Sequence, residues 1–221
     1  MTVLVAINAV GGQIPGFYIF KGEQKMQNWI ADCEVGTAFT ISKKAYMTDN
    51  LWPQWLEHFV KLVPGGCLPT NCHALIVDGH RSHITKVALD TAKMLSVNVI
   101  LLLTHTSHHM QPLNIACFGP YKCYFRQCVD EHTLGHLGHK VNRRDLTQLS
   151  SRAMSMALTP ANIQSGFRAS GLWLLNKNAM DTHFGPSTLR EVSLDSFETD
   201  FKNTLELSHL NDELELQQDL V

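Results

Sequence analysis

Apolar positions in this chain fall into short β-prone runs near the start and into helical spacings further on. Residues 3–10, "VLVAINAV", and 14–20, "IPGFYIF", are apolar runs joined by "GGQ". They predict a β-hairpin, with Gly11 and Gly12 supplying the positive φ of a tight connection. Residues 24–47 keep no clear period and read as irregular. Thr48 then reads as an N-cap, with Asp49 in the first turn and Pro53 early enough to be tolerated. From Leu51 the apolar residues Leu51, Trp55, Phe59 and Val63, with Trp52, Leu56 and Val60 beside them, keep helical spacing until "VPGG" stops it.

A short apolar strand follows at 73–79, "HALIVDG". Ser82 can cap a helix carrying Ile84, Val87, Ala88 and Leu95, and "VNVILLL" (97–103) is a second apolar strand. Strand, helix, strand with short links is a parallel βαβ unit, and the hairpin ahead of it makes the sheet mixed. Pro112 can begin a helix. Thr159-Pro160 can begin another, with Ile163 and Phe167 on one face and Gly171 to end it. The class is therefore α/β. There is no internal repeat. The division expected is a core over 1–180 and a tail over 181–221, where Phe197, Phe201 and Leu205 allow an acidic amphipathic helix.

Charge sharpens that division. Nine of the 20 acidic residues fall in 191–221 with a single basic one, Lys202, which leaves 17 basic and 11 acidic residues in 1–190. A basic body suits a polyanion such as DNA, and an acidic tail suits a protein partner. Hydrophobic content of 44% is enough for a core. No apolar run reaches the roughly 18 residues that a membrane span needs, so no membrane partner is expected. The first residues lack the basic region of a signal peptide. Six cysteines without such a signal suit reduced thiols and a nuclear or cytosolic home.

Two polar residues stand where chemistry would sit. Asp78 ends an apolar strand, with Gly79 beside it and His80 and His83 close by. Open α/β sheets bind ligands at the carboxyl ends of their strands, although a turn-capping aspartate reads the same way. Asn114 lies in the first turn of the helix after the next strand, past "THTSHHMQPLN" (104–114). A carboxylate there would make a Mg²⁺ site with Asp78, whereas an amide carries no charge. His105, His108 and His109 crowd one loop, and Cys128, His132 and His136 recur at i, i+4. No paired-cysteine spacing accompanies them, so zinc is not expected. Lys122, Arg126, Lys140, Arg143, Arg144 and Arg152 form a basic run that could follow a phosphate backbone.

Six ordered stretches together resemble one family. "LIVDGHRSH", "THTSHHMQPLN" and "ACFGPYKCYF" look like the DDE superfamily endonucleases of pogo and Tigger type. "VLVAINAVGGQIPGFYIFKG" is similar to that family's early hairpin, and "YMTDNLWPQWLEHF" to the helix after it. "GFRASGLWLLN" is similar to its closing segment, with Leu174 at a usual proline. The resemblance covers roughly 3–176.

That resemblance implies an RNase H-like mixed sheet flanked by helices, and a transposase-derived, nuclear, DNA-binding protein. In the family three acidic residues hold two Mg²⁺ or Mn²⁺ ions at the scissile phosphate. Asp78 matches the second acid as a catalytic, metal-binding position. Asn114 matches the third and departs from it. The first acid belongs on a central strand ahead of the hairpin, and this chain opens on the hairpin. The reading is thus a core lacking its first central strand, with Asp78 a vestigial ligand and metal not productively bound. DNA binding, weak and non-specific, would run through Lys122, Arg126, Lys140, Arg143 and Arg144 without cleavage. A protein-interaction module using the acidic tail is the alternative, and an active metal-dependent endonuclease is the third reading.

Overall fold

The computed structural model describes residues 1–103, 106–136 and 140–179. The early hairpin is there, with short strands. β1 (Thr2–Leu4) runs antiparallel to β2 (Phe17–Lys21), and an isolated bridge pairs Ile7 with Gln13 near the turn. Gly11 takes the positive φ of that turn; Gly12 does not. β2 is buried on both faces. Phe17 and Ile19 look into one apolar cluster, Tyr18 and Phe20 into another.

The stretch 24–47, read as irregular, holds a third strand. β3 (Ala38–Ser42) pairs parallel to β2. Five residues are too few to show a period. What specifies β3 is its partner, starting with the Ala38 N–H donated to the Gly16 carbonyl at 3.1 Å. A 3₁₀ turn at Gln27–Ile30 brings Trp29 against Phe20 and Phe39, with ring centroids 5.0 and 5.8 Å apart.

α1 (Trp52–Leu62) begins after Leu51, and no side chain caps it. Thr48 contributes its backbone carbonyl, which accepts from the N–H groups of Leu51 and Trp52 at 3.0 and 3.2 Å. The apolar stripe works as its spacing predicts: Trp52, Trp55, Leu56 and Phe59 enter the core. Leu56 alone, fully buried, contributes about 1.5–3 kcal/mol.

β4 (His73–Val77) and β5 (Val97–Leu101) are parallel, joined through α2 (Lys86–Met94). The cap of α2 is Thr85, whose Oγ1 accepts from the Ala88 N–H at 3.2 Å. Ser82 lies earlier, in a buried 3₁₀ turn at Arg81–His83, with its hydroxyl and N–H both held by the His80 ring. Extended backbone at Thr85, directly before the helix, gives it the cap geometry that Ser82 lacks.

The single mixed sheet expected from the pattern is two sheets, β1–β2–β3 and β4–β5. A cleft of about 620 Å³ lies where β1 and β4 would meet, lined by Val3–Ala9 on one side and His73–Asp78 on the other. One apolar layer, built on α1 and α2, packs against both sheets.

The other layer is helical. α3 (Ser107–Met110) is one turn, followed by a π-helical turn at Leu113–Cys117 that runs into α4 (Phe118–Gly135). α5 (Arg143–Ala157) packs on α4, and α6 (Pro160–Ala169) packs on the π turn. α5 was not foreseen, yet its start was legible. Asn142 accepts from the Asp145 N–H while the Asp145 carboxylate accepts from the Asn142 N–H, a full capping box. Gly166 lets α6 approach closely: a Cβ there would sit 2.6 Å from the Pro112 carbonyl oxygen. The expected tail helix and its acidic residues lie outside the described residues, as does His105.

Candidate functional site

β4 and β5 run parallel, so the turns after them leave the sheet at one end, and both candidate residues line the same cleft. Asp78 follows β4 directly. Its Oδ1 accepts from the His80 N–H at 3.2 Å and from His83 Nδ1 at 3.1 Å. The same His83 nitrogen lies 3.1 Å from the Asp78 carbonyl oxygen. Both neighbours of Nδ1 are acceptors, which assigns the proton to Nδ1. His83 is buried and its ring rests on Trp52, centroids 4.0 Å apart.

The His83 hydrogen bond holds the Asp78 carboxyl below the usual carboxylate range, against the opposing pull of partial burial. Asp78 is therefore ionised at neutral pH. Its side chain stays 44% exposed, open to the cleft mouth. It is both a turn residue and an available anion.

Asn114 is held differently. It is exposed, and its amide nitrogen donates to the Ser107 carbonyl at 3.1 Å and to Gln111 Oε1 at 2.6 Å. The N–H of Asn114 in turn donates to the Gln111 carbonyl at 2.9 Å. The Ser107 carbonyl asks for a donor side chain, whereas the Gln111 amide can present either end. An ionised carboxylate has none to give. Pro112 and Leu113 below it are buried against α6 and α5, so the turn is anchored from beneath.

Among the described residues, no group of three or more His, Cys, Asp or Glu side chains gathers to hold a metal ion. Two Mg²⁺ ions require several hard oxygen ligands, and this cleft offers one carboxylate, already carrying two hydrogen bonds. The described residues do not by themselves fit a two-metal centre.

The histidine and cysteine spacings resolve into packing. Cys128 is buried between α4 and α5 beside Leu149 and Ala153. His132 faces the Asp145 carboxylate at 3.7 Å, and His136 stacks on His132 with centroids 4.3 Å apart. The rings of His108 and His109 lie tilted against each other in α3, centroids 4.2 Å apart.

The basic residues divide into two groups. Lys122 and Arg126 are exposed on α4, and Lys140 is exposed just before α5. Arg143 lies over the Trp29 ring at 4.6 Å, Arg144 bonds the Asp32 carboxylate, and Arg152 meets Glu131 at 3.0 Å. Arg143 and Arg144 thus also serve as struts between α5 and the 27–32 turn. The sequence reading missed the donors that Asn114 supplies, though Gln111 three residues before it was a signal. Trp52 and Trp55 sit in the core as the apolar stripe of α1 leads one to expect, and their buried indole nitrogens have no acceptor among the described residues.

The model of the DDE superfamily endonuclease family matches residues 1–167. A curated protein of Cochliobolus lunatus, named MFS-type transporter clz9, is 30% identical over 173 residues, which are 78% of this chain and 19% of that protein. The chain thus spans about a fifth of that relative's length. Among the described residues no helix is long and apolar enough to cross a membrane. No solved structure matches the chain significantly.

Proposed function

The chain belongs to the DDE superfamily endonuclease family, and from that premise we propose that it is a pogo/Tigger-type, RNase H-like domain that binds DNA without cutting it. The observation that carries the proposal is Asn114. In the position that matches the family's third acid, this chain has an amide donating two hydrogen bonds to its own loop. Restoring a carboxylate there would set it against the Ser107 carbonyl, which the amide satisfies. With an amide at Asn114, Asp78 has no second carboxylate beside it among the described residues to help fix and neutralise two metal ions.

DNA remains a fitting partner because binding needs cations and not chemistry. Lys122, Arg126 and Lys140 are exposed and free of ion pairs among the described residues, with Arg143 and Arg144 at the start of the adjacent helix. Phosphate contacts of this kind position a duplex and carry no sequence information. A nuclear site of action accompanies this reading.

The experiment is a binding titration on a random 30-base-pair duplex at several salt concentrations. With roughly three to five phosphate contacts, log K against log salt falls with a slope of about -3 to -5. Lys122→Ala with Arg126→Ala shallows the slope by about 2. Deleting 191–221 strengthens binding, because the tail's carboxylates no longer compete with phosphate. A flat salt response, or no binding at low salt, refutes the reading.

A further inference from the structure

β5 is an outer strand. Among the described residues it pairs with β4 alone, and its other edge, on the side away from β4, is free. Its backbone groups can be assigned to one edge or the other. The Leu102 N–H donates to the Val77 carbonyl at 2.8 Å. Successive residues of an extended strand turn their N–H and C=O to opposite edges, so Asn98 and Ile100 bond β4 as Leu102 does. Val97, Val99 and Leu101 turn theirs to the free edge.

Folded proteins protect a free edge with lysine, proline, a bulge or an inward charge. β5 has none of these. Residues 95–103, "LSVNVILLL", carry no charge and no proline, and the register with β4 is unbroken from Val97 to Leu101. The side chains point the same way. Ile100, Leu101 and Leu103 are 48%, 38% and 46% exposed, and Met94, at the end of α2 just before the strand, is 82% exposed. Large apolar side chains gathered along one edge mark a place of association.

We propose that β5 is a dimerisation edge, on which a second copy of this chain pairs antiparallel about a two-fold axis through Val99. The alternation selects both occupant and register. With Val99 opposite its own counterpart, Val97 of each copy faces Leu101 of the other. Directly opposed residues in an antiparallel ladder exchange both hydrogen bonds or neither, by turns. All three outward residues then fall in the exchanging class, so each outward N–H and C=O is satisfied by its symmetry mate. A shift of one residue sets Val99 against Asn98 or Ile100, whose backbone groups β4 already holds. A shift of two leaves Val97 or Leu101 without a partner inside the strand. The two-fold also sets like against like, which an uncharged strand tolerates. Pairing makes one sheet continuous across both copies.

The test is sedimentation of the full chain over a range of concentrations, with amide exchange alongside. A reversible dimer is expected. The Val97, Val99 and Leu101 amides should exchange more slowly as concentration rises, while the Asn98 and Ile100 amides, held by β4, do not respond. Val99→Pro removes an outward donor and no bond to β4, and should weaken the dimer about tenfold or more. Leu101→Lys puts a charge on the edge and should weaken it likewise. Val35→Lys, the same change at a residue 95% exposed elsewhere, should leave it intact. The exchange pattern is read on the parent chain, so it decides the matter even where a variant unfolds. A monomer at every concentration, a dimer whose Val97, Val99 and Leu101 amides do not respond, or a dimer indifferent to both edge variants overturns the proposal. None of these readouts involves DNA, so the DNA titration and this test fail independently.

Discussion

Two turns leave parallel strands at the same end of the molecule, and their hydrogen-bonding characters are opposite. The turn after β4 presents an acceptor: Asp78, ionised, receives hydrogen bonds from His80 and His83. The turn near the end of the loop after β5 presents a donor: Asn114 gives both amide hydrogens to Ser107 and Gln111. One turn has kept the means to hold a cation, while the other is organised around a neutral group. A pair of like carboxylates is what the resemblance leads one to expect at these two turns, and the proposed loss of cleavage rests on this difference.

Breaking the β4 turn from beneath should have the largest effect. Trp52→Ala removes a buried side chain on which His83 rests, and should cost about 3–5 kcal/mol in urea unfolding. Asp78 and His83 resonances should move while those of Asn114 stay. Breaking the other turn is next. Gly166→Ala drives a Cβ into the Pro112 carbonyl and should cost about 1–3 kcal/mol. There the Asn114 amide resonances should move and those of Asp78 should not.

Smaller effects sharpen the contrast through pH. The folded-state pKa of Asp78 lies below its unfolded value. Its contribution to stability is therefore present above the unfolded pKa of about 4 and fades as pH falls through the folded value. Asn114→Asp should behave in the opposite sense. A carboxylate facing the Ser107 carbonyl is favoured when protonated, so its penalty grows as pH rises through its raised pKa. We expect the variant to lose up to about 1 kcal/mol at pH 7 and to converge on the parent protein near pH 3. A variant uniformly weaker at both pH values would show that Asn114 matters for shape alone.

Much of this architecture was legible where periodicity was long or punctuation strong. The hairpin, α1 and the β4–α2–β5 unit follow from apolar runs bounded by glycine, proline and polar residues. β3 was not legible, because "AFTIS" is specified by β2 across the sheet and not by its own pattern. The α2 cap moved from Ser82 to Thr85 because a 3₁₀ turn intervenes, and local propensity does not distinguish two hydroxyl residues three apart. Asp78 stands at the end of β4 and Asn114 in the first turn of a helical segment, as their surroundings in the sequence led one to expect. The direction of the Asn114 hydrogen bonds was not readable, since it depends on the fold of 107–111. The sheets separate along β1 and β4, where the resemblance leads one to expect a central strand, although the apolar runs alone suggest one mixed sheet.

The central claim is that the protein holds DNA and does not cut it, and a plasmid assay tests it most directly. Supercoiled DNA is incubated with the chain in Mg²⁺ or Mn²⁺ at low salt, then resolved with and without deproteinisation. The account predicts retarded complexes before deproteinisation and fully supercoiled plasmid after it, for the parent chain and for Asn114→Asp alike. Nicked or linear plasmid that appears with the parent chain and disappears with Asp78→Ala would contradict it.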